Sequence, residues 1–185
     1  LSPILSAQQG AIAGEWPSYG GGLGHTRYAP LQQIDATNFD QLEVAWRFKT
    51  DNLGPSPEYR FQSTPLMVGG KLFSTAGSRR SVVALDAATG ELLWMFRYEE
   101  GVRGENAPRQ LSGRGLSYWS DGKGDDRIYY VTTGYRLIAL NAHTGVPINS
   151  FGTDGNGILD LKIGAVQGNE VQIDLVTGEI GLHAT

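Results

Sequence analysis

The segment Ala84-Leu85-Asp86-Ala87-Ala88-Thr89-Gly90-Glu91 returns in near-copy as Ala139-Leu140-Asn141-Ala142-His143-Thr144-Gly145-Val146. A weaker third copy, Asp174-Leu175-Val176-Thr177-Gly178-Glu179, keeps the acid, the Thr-Gly and the Glu. In each, an Asp or Asn is followed by two spacers, then Thr-Gly, then a new extended run. The Asp or Asn side chain can accept from backbone amides two or three residues on, and the glycine supplies the positive φ of a tight reversal. The flanking runs, Ser81 to Leu85 and Leu92 to Phe96, are rich in β-branched and aromatic residues, so the repeating unit is strand, turn, strand.

Two larger segments can be laid over one another around these turns. The first predicts strands at Thr64 to Val68, Lys71 to Ala76, Ser81 to Asp86 and Leu92 to Phe96, with Gly69-Gly70 as a turn. The second predicts strands at Gly115 to Trp119, Arg127 to Thr133 and Leu137 to Asn141, with a polar hairpin turn at Asp121 to Asp126. Four short strands per unit with tight reversals are the sequence form of a propeller blade. The turns stand about 55 residues apart, long for a blade, because a charged insertion from Tyr98 to Arg114 separates them; it is expected to lie on one face. Beyond Phe151 a Gly-rich connector leads to a short apolar stretch at Ile158 to Gly164 and an edge strand at Val171 to Asp174.

Ahead of the repeats, residues 1–14 read as an N-terminal arm. Trp16 to Pro30 interleaves glycines, aromatics and two prolines, which predicts a winding loop pinned by Trp16, Tyr19 and Tyr28 rather than a helix. The Gly20-Gly21-Gly22 run has no Gly-Lys-Ser/Thr after it and no strand before it, so it is not read as a phosphate cradle. A helical turn is expected within Asp35 to Leu42, and a strand at Leu42 to Phe48 with Leu42, Val44, Trp46 and Phe48 on one face.

A formal net charge of -4 offers no basic footprint for nucleic acid. The absence of cysteine removes disulfides and thiolate metal sites. No apolar run approaches the roughly 18 to 20 residues of a spanning helix. The histidines His25, His143 and His183 lack metal-ligand spacing. The Asp121 to Asp126 run fails the calcium-loop spacing and reads as a solvated turn. Blades bury their apolar faces against neighbours, so two or three alone would leave one bare, and the chain is expected to be a sector of something longer.

Three features together resemble the N-terminal part of the pyrroloquinoline-quinone (PQQ) dehydrogenases, nearest to the glucose and quinate branch. They are the entry segment Trp16-Pro17-Ser18-Tyr19-Gly20-Gly21 through Thr26-Arg27-Tyr28-Ala29-Pro30-Leu31, the run Ala84-x-Asp86-x-x-Thr89-Gly90-Glu91-x-x-Trp94, and Gly113-Arg114-Gly115-Leu116-Ser117-Tyr118-Trp119. The resemblance implies an all-β fold, the opening blades of an eight-bladed propeller with four-stranded antiparallel blades, occupying residues 15–185. It implies that Trp94 tucks into the next blade and bonds its backbone through the indole N–H. Asn149 or Ser150 stands where the second copy would carry its Trp, so docking there is expected to differ.

By position in the resemblance, Arg114 meets the polar edge of the quinone, for which a permanently charged planar fork of donors suits a tricarboxylate. Gln62 stands where many relatives carry a cofactor-touching glutamate. Calcium or another divalent or trivalent ion, and the catalytic base, are expected from outside this chain, so no metal ligand or catalytic residue is assigned within it. Gln110-Leu111-Ser112 replaces the vicinal cysteines of some relatives, which points away from the methanol and ethanol branch. The implied function is periplasmic oxidation of a sugar or alcohol hydroxyl, with a quinone or cytochrome as onward electron acceptor. The remainder of the propeller is a partner, either as further chain or as a second polypeptide. The alternative is a non-catalytic propeller scaffold of the outer-membrane assembly type, which shares the Asp-x-x-Thr-Gly-x-x-x-Trp signature.

Overall fold

The computed structural model describes residues 11, 14–108, 110, 115–161, 170–173 and 180–183. Two four-stranded antiparallel sheets carry the architecture. The first orders β1 (Leu66–Val68), β2 (Lys71–Ala76), β3 (Ser81–Asp86) and β4 (Leu92–Phe96) in sequence. After one short helical turn, α1 (Val102–Glu105), the second orders β5 (Ser117–Ser120), β6 (Asp126–Val131), β7 (Arg136–Asn141) and β8 (Ile158–Asp160) in the same way. A separate antiparallel pair, β9 (Glu170–Ile173) with β10 (Ile180–His183), sets Ile180 opposite Ile173. The third turn copy, residues 174–179, lies between them and outside the described residues. Two meandering sheets of this kind are sectors of a β-propeller. Among the described residues no helix is long and apolar enough to cross a membrane.

The turns form as their chemistry dictates. Asp86 Oδ1 accepts from the amides of Ala88 and Thr89 at 3.0 and 2.8 Å, and Asn141 Oδ1 from His143 and Thr144 at 2.9 and 3.0 Å. Gly90 and Gly145 follow at φ 74° and 71°. The bonds from Thr89 hold the Asp86 carboxyl below the usual carboxylate range. β1 begins at Leu66 rather than Thr64, since Pro65 brings no N–H to a ladder.

Alternation along the strands sorts the core. Leu66, Phe73, Val82 and Ala84 of the first sheet meet Ile128, Tyr130, Ile138 and Leu140 of the second in one buried cluster. The opposite face of the second sheet buries Tyr129 and Ala139 against Phe151 and Leu159. On the far face of the first sheet, Ala76, Val83 and Leu85 pack with Leu72 of β2 and, from outside the sheet, with Trp46, Phe48 and Leu53.

Two tryptophans sit on the two repeated turns in the same way. Trp94 on β4 donates from Nε1 to the Ala142 carbonyl at 3.1 Å, and its ring fills the space above Gly145, where an added Cβ would come within 2.5 Å of it. Trp46 donates to the Ala87 carbonyl at 3.1 Å and lies over Gly90, where a Cβ would come within 2.6 Å. Ala87 and Ala142 occupy matching places in the two repeated turns.

Several expectations are corrected. Residues 42–48 pair with no strand among the described residues; Trp46 and Phe48 turn inward, while Leu42 and Val44 stay 53% and 65% exposed. A strand's edge needs a ladder partner, and none is supplied within the described residues. In the entry loop, Trp16 pairs with Met67 and its ring lies against Gly21, but Tyr19 and Tyr28 are exposed and Tyr19 instead stacks under Arg27. The helical turn expected within Asp35 to Leu42 does form, as a single 3-10 turn at Phe39–Gln41, preceded by an Asp35 side chain that accepts from the Thr37 amide. The fourth strand of the second sheet is β8, so Asn149 and Ser150 fall in a loop rather than on a docking strand.

Candidate functional site

The strand order decides which residues share an end of the sheets. In an antiparallel meander the start of the first strand lies beside the turn between the second and third; the register Leu66 opposite Phe73 and Val68 opposite Lys71 places residues 61–65 with the turn at 77–80. The same rule places residues 115 and 116 with the turn at 132–135. The Asp-x-x-Thr-Gly turns therefore occupy one end, and the segments carrying Gln62 and Arg114 lead into the opposite one.

Arg114 itself lies outside the described residues. Its neighbour Gly115, at φ 79°, does not: a Cβ built there would stand 3.8 Å from the Thr64 amide and 3.9 Å from Ser63 Oγ. The two segments singled out from sequence therefore meet at Ser63 and Gly115. Gln62 is exposed. Ser63 beside it is only 9% exposed, and its hydroxyl has no hydrogen-bond partner among the described residues.

Other orphan hydroxyls gather at the same end: Thr75, Ser78, Ser81 and Tyr130 are buried without partners for their oxygens. A buried hydroxyl left unpaired costs about 1–3 kcal/mol. Burial, with the charges of Glu100 and Tyr98 behind it, pushes the Tyr130 phenol up, so it stays neutral.

The insertion between the sheets is anchored to this end. The Glu100 side chain, 3% exposed, accepts from Thr132 Oγ1 at 2.7 Å, Thr133 Oγ1 at 2.9 Å, the Gly134 amide at 2.7 Å and Arg136 Nη1 at 2.8 Å. Burial alone would raise the carboxyl; the bonds from Thr132, Gly134, Thr133 and Arg136 outweigh it and leave it below the ordinary value. Arg103 of α1 donates from Nε to the Gly134 carbonyl at 2.7 Å and forks onto both oxygens of Asp160. Its guanidinium is held further up, chiefly by Asp160. Arg80, buried at φ 54°, joins the two sheets by donating to the carbonyls of Val131 and Thr132 at 3.2 and 3.1 Å. The expected one-sided insertion is thus a clamp, with a buried carboxylate at its centre.

Neither Glu100 nor Ser63 stands out in the sequence. For Glu100 a signal exists: Trp94, Phe96 and Tyr98 all pack on the inter-sheet core, and continuing that alternation brings Glu100 to the buried face. For Ser63 there is none. Elsewhere, Asp121 Oδ1 accepts the amides of Lys123 and Asp125, closing a solvated hairpin turn as expected. His143 is exposed beside Asp126, its ring nitrogen 2.9 Å away. Among the described residues no three His, Asp or Glu converge on a metal site.

Two meandering four-stranded antiparallel sheets, each with an Asp/Asn-x-x-Thr-Gly turn at the same end, define a sector of a β-propeller. The chain belongs to the PQQ family, as the model of the glucose/ethanol/alcohol dehydrogenase beta-propeller domain matches residues 16–178. It is 38% identical over 146 residues to the dehydrogenase subunit of the quinone alcohol dehydrogenase from Gluconobacter oxydans (strain 621H), covering 77% of this chain and 17% of that protein. It is 28% identical over 169 residues to quinoprotein glucose dehydrogenase A from Acinetobacter calcoaceticus, covering 80% and 21%. The structure superposes on the quinohemoprotein alcohol dehydrogenase ADHIIG from Pseudomonas putida HK5 with a TM-score of 0.67 at 25% identity, covering 96% of this chain and 27% of that one. The chain therefore spans about a fifth of the length of its curated relatives. Alcohol, glycerol and glucose dehydrogenases are all among the proteins to which the chain is similar.

The residues present suit the family's cofactor. A planar tricarboxylate needs hydrogen-bond donors at its rim, and the end shared by Gln62, Ser63 and Gly115 offers the exposed Gln62 amide and a buried Ser63 hydroxyl that has no partner among the described residues.

Proposed function

We propose that the complete protein oxidises a sugar or alcohol hydroxyl with PQQ as electron acceptor, and that residues 15–185 are the opening two to three blades of its ring, preceded by an arm at 1–14. The observation that carries this reading is the meeting of the Gln62 and Arg114 segments at an orphan-hydroxyl end of a PQQ-family propeller sector. Bound at that end, PQQ would supply a two-electron acceptor for the substrate carbon, and a calcium or similar ion held from outside this chain would supply Lewis acidity. Arg114 binds a carboxylate through its guanidinium fork and Gln62 donates its amide beside it. Glu100 and Arg103 fix the insertion that leads to Arg114. No catalytic base or metal ligand is assigned to residues 1–185.

Localisation in the periplasm and onward transfer to a quinone or cytochrome follow from the same family reading. Trp94 and Trp46 act as docking tryptophans, and residues 42–48 supply the outer strand of a sheet whose other strands come from the remainder of the propeller. A scaffold without cofactor chemistry is less favoured, because the turn-and-tryptophan signature it shares accounts for neither the Trp16 entry segment nor the Arg114 segment.

The test is reconstitution of the full-length protein with PQQ and calcium, followed by dye reduction with a panel of alcohols and sugars. Reduction is expected with at least one, and Arg114→Ala is expected to strip quinone absorbance from the purified protein. No reduction by any substrate, with cofactor bound, would overturn the enzyme reading.

A further inference from the structure

Residues 99–108 are held to the two sheets by charge rather than by apolar burial. Their apolar side chains are Val102, Ala107 and Pro108, of which only Ala107 is buried, and α1 buries no residue. The fasteners are ion pairs, each with a carboxylate at one end. Glu100 takes its four bonds from Thr132, Thr133, Gly134 and Arg136. Arg103 forks onto Asp160 of β8 and donates to the Gly134 carbonyl. Nearer solvent, Arg79 meets Glu99 at 3.3 Å and Glu105 at 3.8 Å.

The charged and titratable groups around Glu100 are Tyr98 of its own segment, Arg103 of α1, Tyr130 of β6 and Arg136 of β7, with Asp160 of β8 a further 3.9 Å from Arg136. Arg80, from the turn at 77–80, bonds the Thr132 carbonyl. A protonated Glu100 would bring a donor to a seat already filled with donors, and a protonated Asp160 would lose the charge that holds the Arg103 fork.

We propose that residues 99–108 form an acid-released latch: when Glu100 and Asp160 take up protons, the segment lifts from the turn at 132–135 as a local unit while both four-stranded sheets stay folded. A segment held by few apolar contacts opens separately from the core it rests on. The bonds to Glu100 keep its carboxyl below the ordinary value near 4.5, so the latch is closed above that value and opens as pH falls below it. Its seat is tight: a Cβ on Gly134 would stand 2.5 Å from Glu100 Oε1 and 3.0 Å from Arg103 Cγ. The latch does not depend on the quinone reading.

The experiment is amide hydrogen exchange on the full-length protein between pH 3 and 7, corrected for the intrinsic rate at each pH. The amides of Glu105, Asn106 and Ala107, bonded to the carbonyls of Gly101, Val102 and Gly104, report on the latch, and those of β6 and β7 on the sheet. In wild type, latch opening is expected to rise about tenfold or more for each pH unit below about 4.5, with β6 and β7 still protected. Glu100→Gln should cost the latch amides about tenfold or more in protection at pH 7 and flatten their pH dependence. Gly134→Ala, at a position without a positive φ, should open the latch at pH 7 by crowding the carboxylate. Loss of protection in latch and sheet together, in wild type at acid pH or in Glu100→Gln at pH 7, would overturn the proposal. So would latch amides in Glu100→Gln as protected as those of wild type.

Discussion

Glu100 shows how a residue that looks like surface charge becomes a structural centre. Four donors converge on its carboxylate, two hydroxyls, a backbone amide and a guanidinium, and each favours the ionised form. Because its folded-state pKa lies below the ordinary value near 4.5, its contribution to stability is complete above that value and is lost as pH falls through the depressed one. Glu100→Gln is therefore expected to lower stability at pH 7, since an amide cannot accept from all four donors, and to flatten the acid-side loss of stability below about pH 4.5. Thermal unfolding of the full-length protein from pH 3 to 7 checks this; parallel pH profiles for wild type and variant would contradict it. Residues of this kind are legible from sequence only where chemistry is local. Asp86 and Asn141 announce their turns through neighbours two and three positions away, and Gln62 stands out by position in a motif. Ser63 and Glu100 depend on partners 30 or more residues distant or on none, and a serine or glutamate in a polar run carries no mark of that.

At the scale of elements, the lengths of β2, β3 and β4 follow directly from alternation bounded by glycine turns, and the first sheet and three strands of the second are readable in the order of residues alone. β8 is not, because a Gly-rich connector separates it from the strand it joins. The docking partner of each tryptophan is harder to read. Glu43-Val44-Ala45-Trp46-Arg47-Phe48 repeats the pattern of Glu91-Leu92-Leu93-Trp94-Met95-Phe96, yet the repeat lies on a segment without turn signals and by alternation resembles any other strand. Its meaning emerges from geometry: the two indoles reach equivalent carbonyls, of Ala87 and Ala142, and cover equivalent glycines, Gly90 and Gly145, in the two turns. That glycine serves two purposes, which substitution separates. Gly69 sits at φ 57° with open space around it, whereas Gly145 sits at φ 71° beneath the Trp94 ring. Gly69→Ala is expected to cost about 1–2 kcal/mol, the backbone strain alone. Gly145→Ala should cost roughly 3 kcal/mol or more, because the indole must also leave its seat. Denaturant unfolding with tryptophan emission as the probe distinguishes them, and equal losses with unshifted emission would count against the docking role.

For the whole molecule, the two faces of the first sheet tell different stories. One is packed on the second sheet; the other opens into a cleft of about 510 Å³ lined by Trp46, Phe48, Phe61, Leu72, Val83 and Leu85. Alternation places Leu93 and Met95 on that same face, and both are more than 40% exposed. An antiparallel blade ordinarily buries both faces in a ring. Trp46 is seated on the first unit as Trp94 is seated on the second, and Trp94 belongs to the outermost strand of a four-stranded sheet. Residues 43–48 repeat the sequence pattern of β4 but pair with no strand among the described residues, so three strands from the remaining length of the protein are expected to pair with them and close the ring over the cleft. Strand pairing leaves a periodic trace, since every second amide of an edge-joined strand points at its partner. In full-length protein, alternate amides between Val44 and Phe48 should exchange with solvent far more slowly than those between them, and Trp46→Ala should speed the slow ones without affecting β6 or β7. Uniformly fast exchange across residues 42–50 would mean that this segment joins no sheet, and the closure of the ring would have to be sought elsewhere.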